Sequence, residues 1–136
     1  MVTARALIVT VVGAALAPAC LAQDHPGAAI YLDRCAGCHG VNLEGQPDWM
    51  RRMPNGRMPA PPHDASGHTW HHSDRQLLRI IKEGLAVIAP GYETDMPAFG
   101  DTLSDGEILA VLEYIKSTWP DRERELQAKR TAADTE

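Results

Sequence analysis

Apolar residues along the chain fall into four groups separated by two stretches without a sustained period. The first, Ala6 to Leu16, is a continuous run close to the amino end. In the second, Asp24 reads as a helix N-cap and Pro26 fits the first turn. Gly27, Tyr31 and Cys35 then recur in steps of four, so a small residue, an aromatic ring and a thiol share one face of a helix that runs to about Cys38. The third group, Leu77, Leu78 and Ile81, is the buried stripe of a second helix. Ser73-Asp74-Arg75-Gln76 opens it as a reciprocal capping box and Gly84 stops it. The fourth, Ile108, Val111, Leu112, Ile115 and Trp119, keeps helical spacing behind a second capping box, Ser104 to Glu107, and ends at Pro120.

Between these helices the chain is irregular. Residues 40–72 carry Pro47, Pro54, Pro59, Pro61 and Pro62, which excludes a long helix and leaves room for one short turn between Pro47 and Met53. Residues 85–103 are too broken for a helix and alternate too poorly for a strand. The expected fold is therefore all-α and small, with about three main helices and long irregular loops. Residues 23–120 form one domain, preceded by a leader at 1–22 and followed by a charged tail, 121–136, with too few apolar residues to order itself.

Composition sharpens this picture in two places. Aromatic residues make up 5% of the chain and only one is Phe, so large rings cannot fill the core and a bulky apolar group held by the loops would supply the missing mass. The amino end has the make-up of a signal peptide: Arg5, the apolar run, then Ala17, Ala19 and Ala22, with cleavage expected after Ala22 or else after Ala19. Its uncharged part, Ala6 to Ala22, contains Pro18 and is marginal for crossing a bilayer; an uncleaved copy would anchor the chain instead. Lipidation of Cys20 is disfavoured, since Ala17-Pro18-Ala19 poorly matches a lipoprotein signal. The net charge of −5 argues against a nucleic-acid partner, and removal of Arg5 with the leader makes it more negative.

The chemistry concentrates in Cys35-Ala36-Gly37-Cys38-His39, the attachment pattern of a c-type haem. Two thiols three positions apart on one turn can each add to a vinyl group of the porphyrin, and the adjacent imidazole then lies under the iron. Three other readings compete, one of them a chance occurrence inside a structural helix. A redox dithiol is expected beside a βαβ pattern, which is missing here, and a zinc site wants a second cysteine pair, which the chain lacks. With Cys20 in the leader, no disulfide framework remains. One covalent haem c on Cys35 and Cys38 is thus expected, with the proline loop wrapped around it. Trp49, Met53, Met58 and Trp70 can face the ring, and Arg57 can meet a propionate.

Over residues 25–119 the order of motifs resembles the class I c-type cytochromes. Three stretches carry it: Cys35 to His39, Asp95-Met96-Pro97-Ala98-Phe99-Gly100, and Glu107 to Lys116 with Tyr114-Ile115-Lys116 at its end. The resemblance implies that the first and last helices cross at Gly27 and Tyr31 against Val111 and Tyr114. It implies His39 and Met96 as axial iron ligands, a pocket that includes Phe99, and a proline carbonyl on the proximal imidazole, for which Pro47 is the nearest candidate. Met96 also has local support. Pro97 keeps its backbone extended, Gly91 and Gly100 allow the strap to bend, and the Ser104 box anchors the far end, whereas Met53 and Met58 lack a following helix.

Such a chain is expected to be a periplasmic one-electron carrier between larger redox proteins that the sequence does not identify, and not an enzyme, because Met96 would close the sixth iron position. The basic residues Arg51 to Lys82 and the acidic residues Glu93 to Glu113 would form a steering dipole if they occupied opposite faces. The departure from the family pattern is the long loop from Arg57 to His72. Its His63, His68, His71 and His72 offer the alternative of a copper-binding or sensing module that Met53 or Met58 would complete.

Overall fold

The computed structural model describes residues 25–135. The expected leader and the Asp24 cap lie outside them. Among the described residues there are five α-helices and no strand: α1 (Pro26–Arg34), α2 (Ala36–His39), α3 (Asp74–Glu83), α4 (Asp105–Ser117) and α5 (Asp121–Ala133), with short 3-10 turns at Thr69–His71 and Leu85–Val87. No helix among them is long and apolar enough to cross a membrane.

The first helix begins one residue later than expected. His25 is its N-cap, its Nδ1 accepting the Gly27 N–H at 3.2 Å, with Pro26 in the first turn. The helix also breaks at Cys35, so the attachment motif forms a separate turn, α2, closed where the Gly40 N–H donates to the Ala36 carbonyl at 2.9 Å. Gly40 can end it because its φ of +83° lies where a side chain is strained.

Helices α1 and α4 cross in backbone contact. A Cβ on Gly27 would lie 2.7 Å from the Val111 nitrogen and closer still to the Ala110 carbonyl, so only glycine permits this approach. Around the crossing Ala28, Tyr31, Ala36, Leu43, Val111, Tyr114, Ile115 and Trp119 form one buried cluster, and the Tyr31 hydroxyl donates to the Gly40 carbonyl at 2.9 Å. The expected set of Gly27, Tyr31, Val111 and Tyr114 meets here, with the two tyrosine rings 5.4 Å apart. A second cluster, Leu77, Leu103, Ile108 and Leu112, joins α3 to the opposite flank of α4 and takes in Phe99.

Capping matches the sequence at one helix and half-matches at the other. Ser104 and Glu107 satisfy each other's backbone N–H groups, a complete box. At α3 the Ser73 hydroxyl accepts from the Gln76 N–H, but the Gln76 side chain meets His72 Nδ1 at 3.0 Å in place of returning to Ser73.

The tail expected to lack order is helical. From Asp121 the chain is rich in Glu, Arg, Leu, Gln, Ala and Lys, all good helix formers, and Pro120 begins this helix as its N-cap. It docks through polar atoms. Buried Gln127 donates to Asp74 at 2.7 Å and to the His72 carbonyl at 3.3 Å, the Thr131 hydroxyl accepts the Asp74 N–H at 3.1 Å, and Asp134 meets Ser73 and Arg75. A hydropathy pattern has no means of registering such a contact.

Candidate functional site

The attachment turn is held from two sides. Its Cys35 N–H donates to the Tyr31 carbonyl at 2.8 Å, which continues α1 into α2, and the Gly45 N–H returns to the His39 carbonyl at 2.8 Å. Cys35 and Cys38 are unbridged, the first half-buried and the second exposed. Burial, and then the nearby Cys38, push the Cys35 thiol up to about 11. A reactive redox thiol is held the other way, poised to ionise.

His39 is buried, with Nδ1 2.9 Å from the Pro61 carbonyl. Burial lowers its pKa against the opposing pull of that hydrogen bond. The ring is therefore a neutral imidazole oriented through Nδ1, the state in which histidine ligates a metal through its other nitrogen. The carbonyl belongs to Pro61 and not to Pro47, which is exposed in a turn. The reason is local geometry: the Gln46 N–H donates to the Ala60 carbonyl at 2.9 Å and the Ala60 N–H to Gln46 Oε1 at 2.8 Å, closing the neck of an excursion that carries Pro47 away and brings Pro61 back. Gly45, at φ +69°, makes the neck possible, since a Cβ there would lie 2.7 Å from the Pro61 carbonyl carbon.

A second histidine lies on the first. The His63 ring stacks on His39 with centroids 4.0 Å apart and 22° between planes. Its Nδ1 meets the Thr69 hydroxyl at 2.8 Å, and its carbonyl accepts the Trp119 indole N–H at 2.7 Å. Burial, and then the neighbouring His39, hold His63 well below the ordinary imidazole value. Nothing in the sequence singled out this contact, beyond the two-residue distance of His63 from Pro61.

The other loop histidines lie close to one another, with the His68 and His72 rings edge to face and 5.8 Å between centroids. His68 stacks on Trp49 at 5.5 Å, His71 meets the Trp70 ring edge-on at 3.8 Å, and His72 is bound to Gln76. Among the described residues no three His, Cys, Asp or Glu side chains gather as a metal site. Met53 and Met58 are half-buried in the proline loop. Trp70 packs on the first cluster with the Arg122 guanidinium 5.7 Å from its ring, and its buried indole N–H has no acceptor among the described residues.

Met96 lies half-buried in the loop before α4, its N–H on the Thr94 hydroxyl at 3.1 Å. The far side of that loop is fixed to the end of α3, where the Phe99 N–H donates to Ile81 and the Gly100 N–H to Lys82, both at 2.9 Å. Arg57, expected at a propionate, pairs with Asp95 and lies 4.0 Å from Glu93. Lys82 likewise meets Asp105 at 2.7 Å. Arg57 and Lys82 thus face acidic side chains, and the expected separation of charge onto opposite faces does not hold for them.

The residues present suit a haem: two unbridged thiols on one turn, a buried imidazole with one nitrogen spoken for, and a thioether on an anchored loop. The comparisons agree. The family model described as "Cytochrome c" matches residues 25–119. The chain is 30% identical over 125 residues to a protein named "Nitrite reductase" from Stutzerimonas stutzeri, an alignment that covers 87% of this chain and 20% of that protein. The chain thus spans about a fifth of that relative's length. No solved structure matches it. An all-α fold, the Cys35–Cys38–His39 turn and a match across residues 25–119, which takes in every helix before α5, establish that the chain belongs to the cytochrome c family, whose members hold haem c covalently.

Proposed function

We propose that the protein is a periplasmic one-electron carrier whose haem iron is held between His39 and Met96, and that it passes electrons between larger redox proteins. The observation that carries this reading is the fixed proximal imidazole. His39 is buried, neutral and hydrogen-bonded to Pro61, so its position need not change with the charge of the iron it faces. When bound, haem c supplies a reversible one-electron couple, and a thioether on its second side favours the reduced form relative to a second nitrogen ligand. The chain's own part is to keep both ligands in place, and the hydrogen bonds that anchor residues 96–100 serve that end.

The similarity to part of a nitrite reductase raises a second reading, in which this chain acts within a nitrite-reducing enzyme. One experiment separates the two. An optical redox titration of the haem-loaded protein should give a single one-electron wave, and the reduced protein mixed with nitrite should be no more rapidly reoxidised than the buffer control. Rapid reoxidation by nitrite would favour the enzymatic reading.

A further inference from the structure

Two arginines of the proline loop have a role that haem attachment does not explain. Between Arg52 and Arg57 the chain doubles back: the Gly56 N–H donates to Met53, the Met53 N–H to Arg57, both at 2.9 Å, and Arg52 Nη1 reaches the Gly56 carbonyl at 2.6 Å. Gly56, at φ +83°, lets the turn close. The Arg57 N–H is fixed in turn on Asn55 Oδ1 at 3.0 Å. This compact turn sends both guanidinium groups to one neighbouring segment. Arg52 lies 5.9 Å from the ring centroid of Tyr92, and Arg57 pairs with Asp95 beside Glu93. Tyr92 to Asp95 is the stretch that leads directly into Met96.

The two ends of the Met96 strap are held differently. Past Met96, the Phe99 and Gly100 N–H groups bind the last turn of α3 through backbone hydrogen bonds. Before Met96, the hydrogen-bonded and charged contacts to the proline loop among the described residues are those of the two arginine side chains. We propose that Arg52 and Arg57 form a two-point clamp on Tyr92–Asp95 that sets how readily Met96 leaves the iron and opens the sixth position to an external ligand. The clamp rests on the assignment of Met96 as axial ligand. Both arginines are positioning residues: they act on the strap, and Met96 acts on the iron.

Each contact is partly exposed and modest alone, so together they hold the strap closed by about tenfold relative to a chain lacking both. The test is stopped-flow binding of imidazole to the oxidised, haem-loaded protein, taken to the concentration at which the rate is limited by loss of the thioether. Arg52→Ala with Arg57→Ala should raise that limiting rate about tenfold and leave covalent haem in place. Arg57→Lys should recover part of the slow rate, since a point charge can still meet Asp95 without the planar fork. Added salt should speed the parent and leave the double variant unchanged.

A limiting rate within twofold of the parent in the double variant would overturn the clamp. The far-red sulfur-to-iron band of the parent keeps that failure apart from the failure of the ligand assignment. Band present with an unchanged rate means that Met96 is the ligand and the arginines do not hold it. Band absent overturns the ligand assignment and the clamp together.

Discussion

Replacing Gly27 by alanine tests the packing that sets the site in place. A methyl at this position of α1 would lie 2.7 Å from the Val111 nitrogen and nearer still to the Ala110 carbonyl, where ordinary contact begins at 3.4 Å. Those atoms are backbone of α4, so no side-chain rotation relieves the overlap and the two helices must part. Parting them loosens the cluster of Tyr31, Val111, Tyr114 and Ile115, whose members are almost wholly buried. Overpacking of this kind costs about 1–3 kcal/mol, and a backbone obstacle belongs at the upper end. Against it stands the gain from replacing glycine in a helix, up to ~1 kcal/mol and smaller in the first turn. The net expectation is a loss of about 2–3 kcal/mol, or on the order of 10 °C in Tm for a domain of this size. Guanidinium unfolding of the haem-loaded protein, followed by far-UV circular dichroism, measures it, with Gly106→Ala as the control. Gly106 lies in the first turn of α4 with nothing near its Cβ direction, and its substitution should be neutral or stabilise by about 0.5 kcal/mol. The reasoning fails if Gly27→Ala loses less than about 0.5 kcal/mol.

Other consequences can be checked in the same way. Tyr31→Phe leaves the Gly40 carbonyl without the hydroxyl that meets it at 2.9 Å, and should cost about 1 kcal/mol with helix content unchanged. His63 is held neutral by burial, with its folded pKa depressed. The unfolded chain takes up a proton there first, so stability is lost as pH falls below about 6.5 and through the lower folded value; His63→Leu should flatten that limb in thermal melts. Gln127→Ala removes the donors that tie α5 to Asp74 and His72 and should cost about 1–3 kcal/mol while the haem stain on a denaturing gel persists.

Local chemistry made the centre of the fold readable. The thiol and imidazole spacing, the Gly27–Tyr31 face and the Ser104–Glu107 box each depend on residues within one or two turns, and each has its counterpart in the structure. What escaped depends on chain closure or on polar contacts. Pro47 stood nearest His39 in sequence, yet the Gln46–Ala60 neck puts Pro61 beside it. Arg57 meets Asp95, 38 positions away, a contact that only the folded chain brings about. Helix α5 was invisible to a reading of apolar periodicity because Gln127, Thr131 and Asp134 hold it to α3, although its composition favoured helix throughout. The His63 ring on His39 follows from the same return of the loop that delivers Pro61.

The axial pair is the centre of the functional account, and the far-red spectrum of the oxidised, haem-loaded protein tests it most directly. With His39 on one side of the iron and Met96 on the other, the parent should show the weak sulfur-to-iron charge-transfer band, and Met96→Ala should abolish it while covalent haem remains. A band that survives Met96→Ala, or a parent that lacks it because nitrogen or water fills the sixth position, would contradict the account.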